Sequence, residues 1–195
     1  MHSPLMMNRR TFAATLVGTL GPLTAGVETS ARAAGSKVLV YFGPYTSAKS
    51  GSKGIYVSTF DAGTGALGDP ALAAEATNPS FLEIHPSKKY LYAVGEMSDG
   101  KSKGGGVSAF AIDSTSGKLS LINQVSSVGA GPCHVNVDPA GKVVAVANYG
   151  GGSCASYQAQ ADGSLTQAAS FHQHEGSSVN EKRQKGPHAH SANYS

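Results

Sequence analysis

The last 24 residues of the chain hold four of its seven histidines, His172, His174, His188 and His190, and the only arginine beyond residue 33, Arg183. Arg183 lies in Asn180-Glu181-Lys182-Arg183-Gln184-Lys185-Gly186-Pro187-His188-Ala189-His190. A guanidinium offers two parallel hydrogen bonds to a carboxylate or phosphate, and an imidazole moves protons near neutral pH. Together these residues describe an anion-binding, acid–base loop in which Lys182 and Lys185 add positive charge. His188 and His190 are two apart, as are His172 and His174, so each pair shares one face if the backbone is extended. Such pairs can contribute to a zinc or copper site. No carboxylate or cysteine completes a recognisable ligand spacing, however, and a catalytic zinc-helix motif is missing. Three readings stay open: an ion site, packing or surface histidines, and direct proton transfer or substrate contact. The last is preferred because histidine is the usual proton-transfer group, so neither a metal nor a cofactor is expected.

Other residues carry weaker signals. His134 follows Pro132 at the start of a strand-like run, where it is either a satisfied core histidine or a functional group facing a channel. His85 precedes Pro86 as Asp138 precedes Pro139, and a turn explains both. Glu96 ends a strand-like run beside Asp99-Gly100-Lys101-Ser102-Lys103-Gly104-Gly105-Gly106; Gly95 to Ser102 spells the G-x-x-x-x-G-K-S of a phosphate-binding loop, but a glycine run and a second strand-like stretch follow it in place of the required helix. Gly100-Lys101-Ser102-Lys103-Gly104 also spells G-x-S-x-G, but with no helix after it the loop is not a nucleophile elbow. Cys133 and Cys154 allow one disulfide, although buried free thiols are the preferred reading.

The elements that must position these residues show themselves as a repeat. Val38-Leu39-Val40-Tyr41-Phe42-Gly43 returns as Tyr90-Leu91-Tyr92-Ala93-Val94-Gly95 and as Val143-Val144-Ala145-Val146-Ala147-Asn148, at offsets of 52 and 53. After each run comes a turn and a second apolar stretch, at residues 54–61, 106–113 and 152–157. Then Thr64-Gly65-Ala66-Leu67 is echoed by Ser116-Gly117-Lys118-Leu119 and Asp162-Gly163-Ser164-Leu165. Two Pro-bounded segments, 79–86 and 132–139, precede the later units. Short β-branched and aromatic runs separated by turn residues predict antiparallel strands, about four to a unit. A period near 50 with four strands is that of propeller blades. The expectation is an all-β chain in which residues 35–195 form about three blades. A closed propeller has four to eight, so the chain is expected to be the N-terminal part of a longer protein.

Composition agrees and narrows the function. Charged residues are only 14% of the chain, against 40% apolar, and glycine is abundant at 25 residues; neither a charged disordered tail nor a bundle of salted helices fits. The net charge of +3 is concentrated at the start, where Arg9, Arg10, Arg32 and Glu28 lie, and no basic stripe remains to follow a phosphate backbone, so nucleic acid is not expected as a partner. Arg9-Arg10-Thr11-Phe12, the weakly apolar run Ala13 to Ala25 and Ala31-Arg32-Ala33 read as a twin-arginine-like export signal over residues 1–34. The run is too short for a membrane span. An exported protein, periplasmic or secreted, without a span after signal removal is expected.

Several of these motifs resemble the lactonase family of seven-bladed β-propellers, which includes propeller-type 6-phosphogluconolactonases and relatives of fungal carboxymuconate-cyclising enzymes. The likeness rests on Asn78-Pro79-Ser80-Phe81-Leu82, His85-Pro86-Ser87, Gly131-Pro132-Cys133-His134-Val135, Ala147-Asn148-Tyr149-Gly150-Gly151-Gly152 and, most specifically, Glu181 to Ser191. It implies metal-independent hydrolysis or formation of a lactone ring at one mouth of the propeller. His190 matches the family's active-site histidine at the opening of an inner strand, with the matching arginine and glutamate expected beyond Ser195. Substrate contacts would come from Arg183, His188, His134 and Lys185.

The resulting expectation is a lactonase acting on a small-molecule sugar lactone, monomeric when full-length, with the 195-residue stretch inactive by itself. A carboxymuconate-type cyclase and a non-catalytic propeller that binds a ligand or a protein are the alternatives. Export favours a non-phosphorylated lactone over a phosphorylated one.

Overall fold

A computed structural model describes residues 37–97 and 105–195. Residues 1–34, expected to be an export signal, and part of the Gly/Ser/Lys loop lie outside these residues. Twelve strands, and no helix, are found among the described residues. In chain order they are β1 (Lys37–Phe42), β2 (Gly54–Asp61), β3 (Ala66–Leu67), β4 (Ala71–Glu75), β5 (Leu82–Ile84), β6 (Tyr90–Gly95), β7 (Gly106–Ile112), β8 (Leu119–Ser126), β9 (Pro132–Val137), β10 (Val143–Asn148), β11 (Ser153–Gln158) and β12 (Ser170–Gln173).

The strands form three antiparallel sheets of four, and each is a propeller blade. The second runs β5-β6-β7-β8 and the third β9-β10-β11-β12. The repeated apolar runs are β1, β6 and β10. In the later blades they are second from the centre, because the Pro-bounded segments supply the innermost strands β5 and β9. The first blade differs. Both β3 and β4 pair with β2, one along each half of its outer edge, and among the described residues no strand pairs with the inner edge of β1.

The apolar runs are near-continuous because each blade is buried on both faces, and adjacent residues in a strand point to opposite faces. Along β6, Leu91 and Ala93 pack with Ile55, Val57 and Ala73 of the first blade. Tyr92 and Val94 point the other way and pack with Val135, Val144, Val146 and Tyr157 of the third. Burying one such side chain contributes roughly 1.5–3 kcal/mol. The blades thus hold one another by side-chain packing.

Turns fix the ends. The carboxylate of Asp113 accepts hydrogen bonds from the Thr115 and Ser116 amides at 3.1 and 2.7 Å, and that of Asp61 does the same for Gly63 and Thr64 at 2.8 and 3.0 Å. These bonds hold both carboxyls below the ordinary carboxylate range. Gly117 closes its turn at φ +72°, a left-handed conformation that explains the repeated glycine. His85 is a turn residue as expected: Nδ1 lies 2.8 Å from Ser87 Oγ, and Nε2 lies 2.8 Å from the Gly141 carbonyl in the next blade.

The arc has two rims. Where β5 and β9 begin, the connections 43–53, 127–131 and 149–152 and the described residues 96, 97 and 105 gather with residues 174–190; beyond them the chain runs along β9, and the Tyr194 hydroxyl reaches the Val143 carbonyl toward the opposite rim. Asp61, His85, Asp113 and Asp138 mark the turns of the opposite rim.

Candidate active site

The first rim brings three of the five sequence-predicted residues, Arg183, His188 and His190, together on Tyr149, which follows β10. The His188 ring stacks on the Tyr149 ring, with centroids 4.3 Å apart and planes 16° apart. Its Nδ1 lies 2.8 Å from the Tyr149 carbonyl oxygen and its Nε2 3.2 Å from that of Arg183. His190 meets the same Tyr149 ring edge-on, at 5.4 Å and 80°. Arg183 donates from a guanidinium nitrogen to the Tyr149 hydroxyl at 3.4 Å. One aromatic ring therefore carries two histidines and the arginine.

The loop that delivers Arg183 is folded by Asn180. Its side-chain oxygen accepts from the amides of Lys182 and Arg183, and its carbonyl accepts from the amide of Gln184 at 2.7 Å. Asparagine favours this turn because its side chain mimics a further peptide group. Gly152 lets the returning segment approach. Its φ is +60°, and a Cβ there would stand 2.2 Å from the Pro187 carbonyl oxygen, so any side chain would push residues 187–190 off the third blade.

His134 and Cys133 open β9 and hold the chain beyond His190. The Ala192 amide donates to His134 Nδ1 at 3.4 Å, and the Asn136 side chain donates to the Ala192 carbonyl at 3.2 Å. Cys133 Sγ lies 3.6 Å from the carbonyl oxygens of both Ala189 and His190. The His134 ring rests against Phe81, centroids 4.4 Å apart. Burial, and then the neighbouring charge of His190, push the His134 pKa below its ordinary value. His134 is thus half-buried on the innermost strand, within electrostatic reach of His190.

Lys185 is exposed on the Arg183 loop, without a hydrogen bond or ion pair to the described residues. His172 and His174 sit apart, on and after β12 at the outer side of the third blade. There His174 Nε2 lies 3.6 Å from Cys154 Sγ. Both cysteines are free. They flank β10, Cys133 on β9 and Cys154 on β11, and two strand spacings of about 4.8 Å each exceed the reach of a disulfide. Among the described residues no three His, Cys, Asp or Glu side chains are grouped to hold a metal ion.

The residues match the family model described as "Lactonase, 7-bladed beta-propeller" from residue 39 to residue 195. The chain belongs to this lactonase family. It is 38% identical over 159 residues to a Bacillus subtilis protein named 6-phosphogluconolactonase, covering 82% of this chain and 44% of the relative. A Formosa agariphila protein of the same name is 33% identical over 156 residues, covering 80% of this chain and 43% of that one. Among solved structures, the Pseudomonas aeruginosa periplasmic gluconolactonase superposes with a TM-score of 0.72 at 32% identity, over 80% of this chain and 44% of that one. The chain spans less than half the length of these relatives, so its three blades correspond to part of a seven-bladed lactonase propeller.

Sequence reasoning did not single out Tyr149 as the residue that gathers this rim. The available signal was an aromatic residue between the strand-ending Asn148 and the glycines Gly150, Gly151 and Gly152. An aromatic that flanks such a glycine run has room to be covered by another segment.

Proposed function

We propose that the full-length protein hydrolyses a sugar lactone by side-chain acid–base catalysis, with no metal, at the rim that carries Tyr149. The observation that supports this best is the joining of Arg183, His188 and His190 on one aromatic ring in a chain of the lactonase family. His190 is the proton-transfer group. Its ring nitrogens have no hydrogen-bond partner among the described residues, so they are open to water or substrate. His190 takes a proton from the attacking water as the new C–O bond forms at the lactone carbonyl. It returns that proton to the ring oxygen as the acyl–oxygen bond breaks, giving a hydroxy acid. Arg183 and Lys185 hold the oxygen-rich or anionic part of the substrate. His134 contributes a polar edge on the innermost strand. His188 enters through Arg183: both of its ring nitrogens face carbonyl oxygens, which fixes the loop over Tyr149 and leaves neither nitrogen for an ion.

The names of the relatives support a gluconolactone or its 6-phosphate as substrate. Export through the Arg9-Arg10 segment is part of the proposal. It is supported by that segment and by the periplasmic gluconolactonase among the similar structures, and it favours the non-phosphorylated ring. Steady-state kinetics of the full-length protein on glucono-δ-lactone and its 6-phosphate test the activity. Turnover of neither, after correction for spontaneous hydrolysis, overturns it. Amino-terminal sequencing of the protein from a periplasmic fraction tests export.

A further inference from the structure

A second polar cluster lies on the same rim, between the first two blades. Glu96, at the end of β6, reaches inward so that its Oε2 accepts from Ser80 Oγ, just before the innermost strand β5. The Tyr45 hydroxyl, from the connection after β1 in the neighbouring blade, donates to the same oxygen at 2.7 Å. The hydrogen bond to Glu96 is the first cause of a raised Tyr45 pKa, which keeps the phenol a donor.

The backbone beneath is equally tied. Asn78, in the left-handed region at φ 44°, donates from its side chain to the Glu96 carbonyl at 3.1 Å and accepts from the Thr46 amide at 2.9 Å. A Cβ on Gly43 would stand 1.9 Å from the Pro79 carbonyl oxygen. A left-handed asparagine and a close backbone approach thus fix the main chain from which this carboxylate projects. Holding a residue in a sparsely populated backbone region has a cost, and such positions cluster at functional sites.

Both donors serve Oε2. Among the described residues, no donor lies within hydrogen-bond reach of Oε1. The cluster also lies beside the opening of β9: the Gly131 amide, just ahead of that strand, donates to the carbonyl of Met97, the residue after Glu96, at 3.1 Å, and Cys133 Sγ on β9 lies 3.6 Å from the His190 carbonyl. Glu96 and His190 therefore share the rim at which β9 opens.

We propose that Glu96, oriented by Tyr45 and Ser80, binds ring hydroxyls of the lactone and so sets the preference for a polyhydroxylated substrate. A fixed carboxylate with one free oxygen accepts a hydroxyl hydrogen in a strong, charge-assisted bond. A bare aliphatic lactone has no donor to offer it. This inference rests on the lactonase reading, but its test separates the two.

The test uses the full-length protein and compares kcat/KM for glucono-δ-lactone with that for δ-valerolactone, which lacks the ring hydroxyls. Glu96→Ala is expected to lower the ratio about tenfold or more, the scale of one lost hydrogen bond to a charged group. Tyr45→Phe should lower it by a smaller factor, with δ-valerolactone turnover unchanged in both variants. A parallel fall on both substrates, or no change, overturns the assignment; the first result would place Glu96 in the chemistry. Titration calorimetry with gluconolactam, a ring amide that keeps the hydroxyls, gives a readout independent of turnover. Loss of gluconolactam binding in Glu96→Ala, in a variant with wild-type thermal unfolding, supports the proposal even if no lactone is hydrolysed. Unaltered binding, or none in the parent protein, overturns it.

Discussion

Tyr92 donates its phenol hydrogen to the carbonyl of Gly163, 3.1 Å away in the next blade. The ring is fully buried in the core between the second and third blades. Tyr41, at the matching place in the first blade, reaches the Gly117 carbonyl at 3.0 Å. Each tyrosine therefore links its own blade to a turn of the following one. Burial is the main cause that pushes the Tyr92 pKa up to about 12, so the donor stays protonated across the physiological range.

Tyr92→Phe should destabilise the protein by about 1 kcal/mol, since it removes one hydrogen bond and leaves a buried carbonyl without its partner. Tyr41→Phe, at a less buried site, should cost less. Urea unfolding monitored by circular dichroism measures both. Equal costs would show that burial does not govern this link.

Gly65 and Gly117 separate backbone strain from packing. Both have φ above +70°, at +75° and +72°. A Cβ on Gly65 meets nothing within 4 Å, whereas one on Gly117 comes within 2.8 Å of Val57 Cγ2 and 3.2 Å of Leu39 Cδ1. Gly65→Ala should therefore cost only the left-handed penalty of roughly 1–2 kcal/mol. Gly117→Ala should cost at least about 1 kcal/mol more, because overpacking is added. The difference in unfolding free energy between the two variants is the measurement.

These links also show what a sequence can reveal. The strands β1, β6 and β10 are legible because apolar runs bounded by turn residues are a local signal. The inner strands β5 and β9 were marked by their prolines. The division of the outer strand of the first blade into β3 and β4 was not legible, because Leu67 and Ala71 straddle a turn that only pairing with β2 explains. The 52-residue offset also hides a slip: matched through their pairing with β2 and β7, Tyr41 corresponds to Tyr92, at an offset of 51. At the rim, His188, His190 and Arg183 stood together in sequence and were found. Tyr45, Ser80 and Glu96 come from separate connections, and no local pattern announces that they meet.

His134 makes stability depend on pH. Its pKa lies below the ordinary 6.5 in the folded protein, so the unfolded chain takes up this proton first as pH falls. Stability from this group is complete above pH 6.5, declines as pH falls toward the depressed folded pKa, and changes no further below it. His134→Gln should flatten that decline in urea unfolding measured between pH 7.5 and 5. His190→Ala should flatten it only in part, because burial is the larger cause. An unchanged slope in His134→Gln would refute the assignment.

At the proposed catalytic rim, His190→Ala in the full-length protein should lower kcat about 100-fold or more, the usual contribution of a general base. Arg183→Ala should mainly raise KM. Arg183→Lys should recover only part of that loss, since an ammonium cannot make the paired hydrogen bonds of a guanidinium. Steady-state kinetics on gluconolactone and its 6-phosphate decide these points. If both alanine variants keep the parent kcat/KM on every lactone, the site lies elsewhere.

The two rims differ in the lengths of their connections. On one rim, the equivalent turns 85–89 and 138–142 have the same length, and His85 and Asp138 open them. On the other, the equivalent connections 43–53 and 96–105 are long, whereas 149–152 is short. Copies of one ancestral unit have therefore kept the innermost turn of one rim constant and accepted insertions and deletions at the opposite rim. A protein organised in this way can acquire new specificities by exchanging segments on the variable rim, while inheritance of the frame is carried by the constant inner turns. Loop grafting between members of the family should accordingly begin at residues 43–53, 96–105 and 149–152.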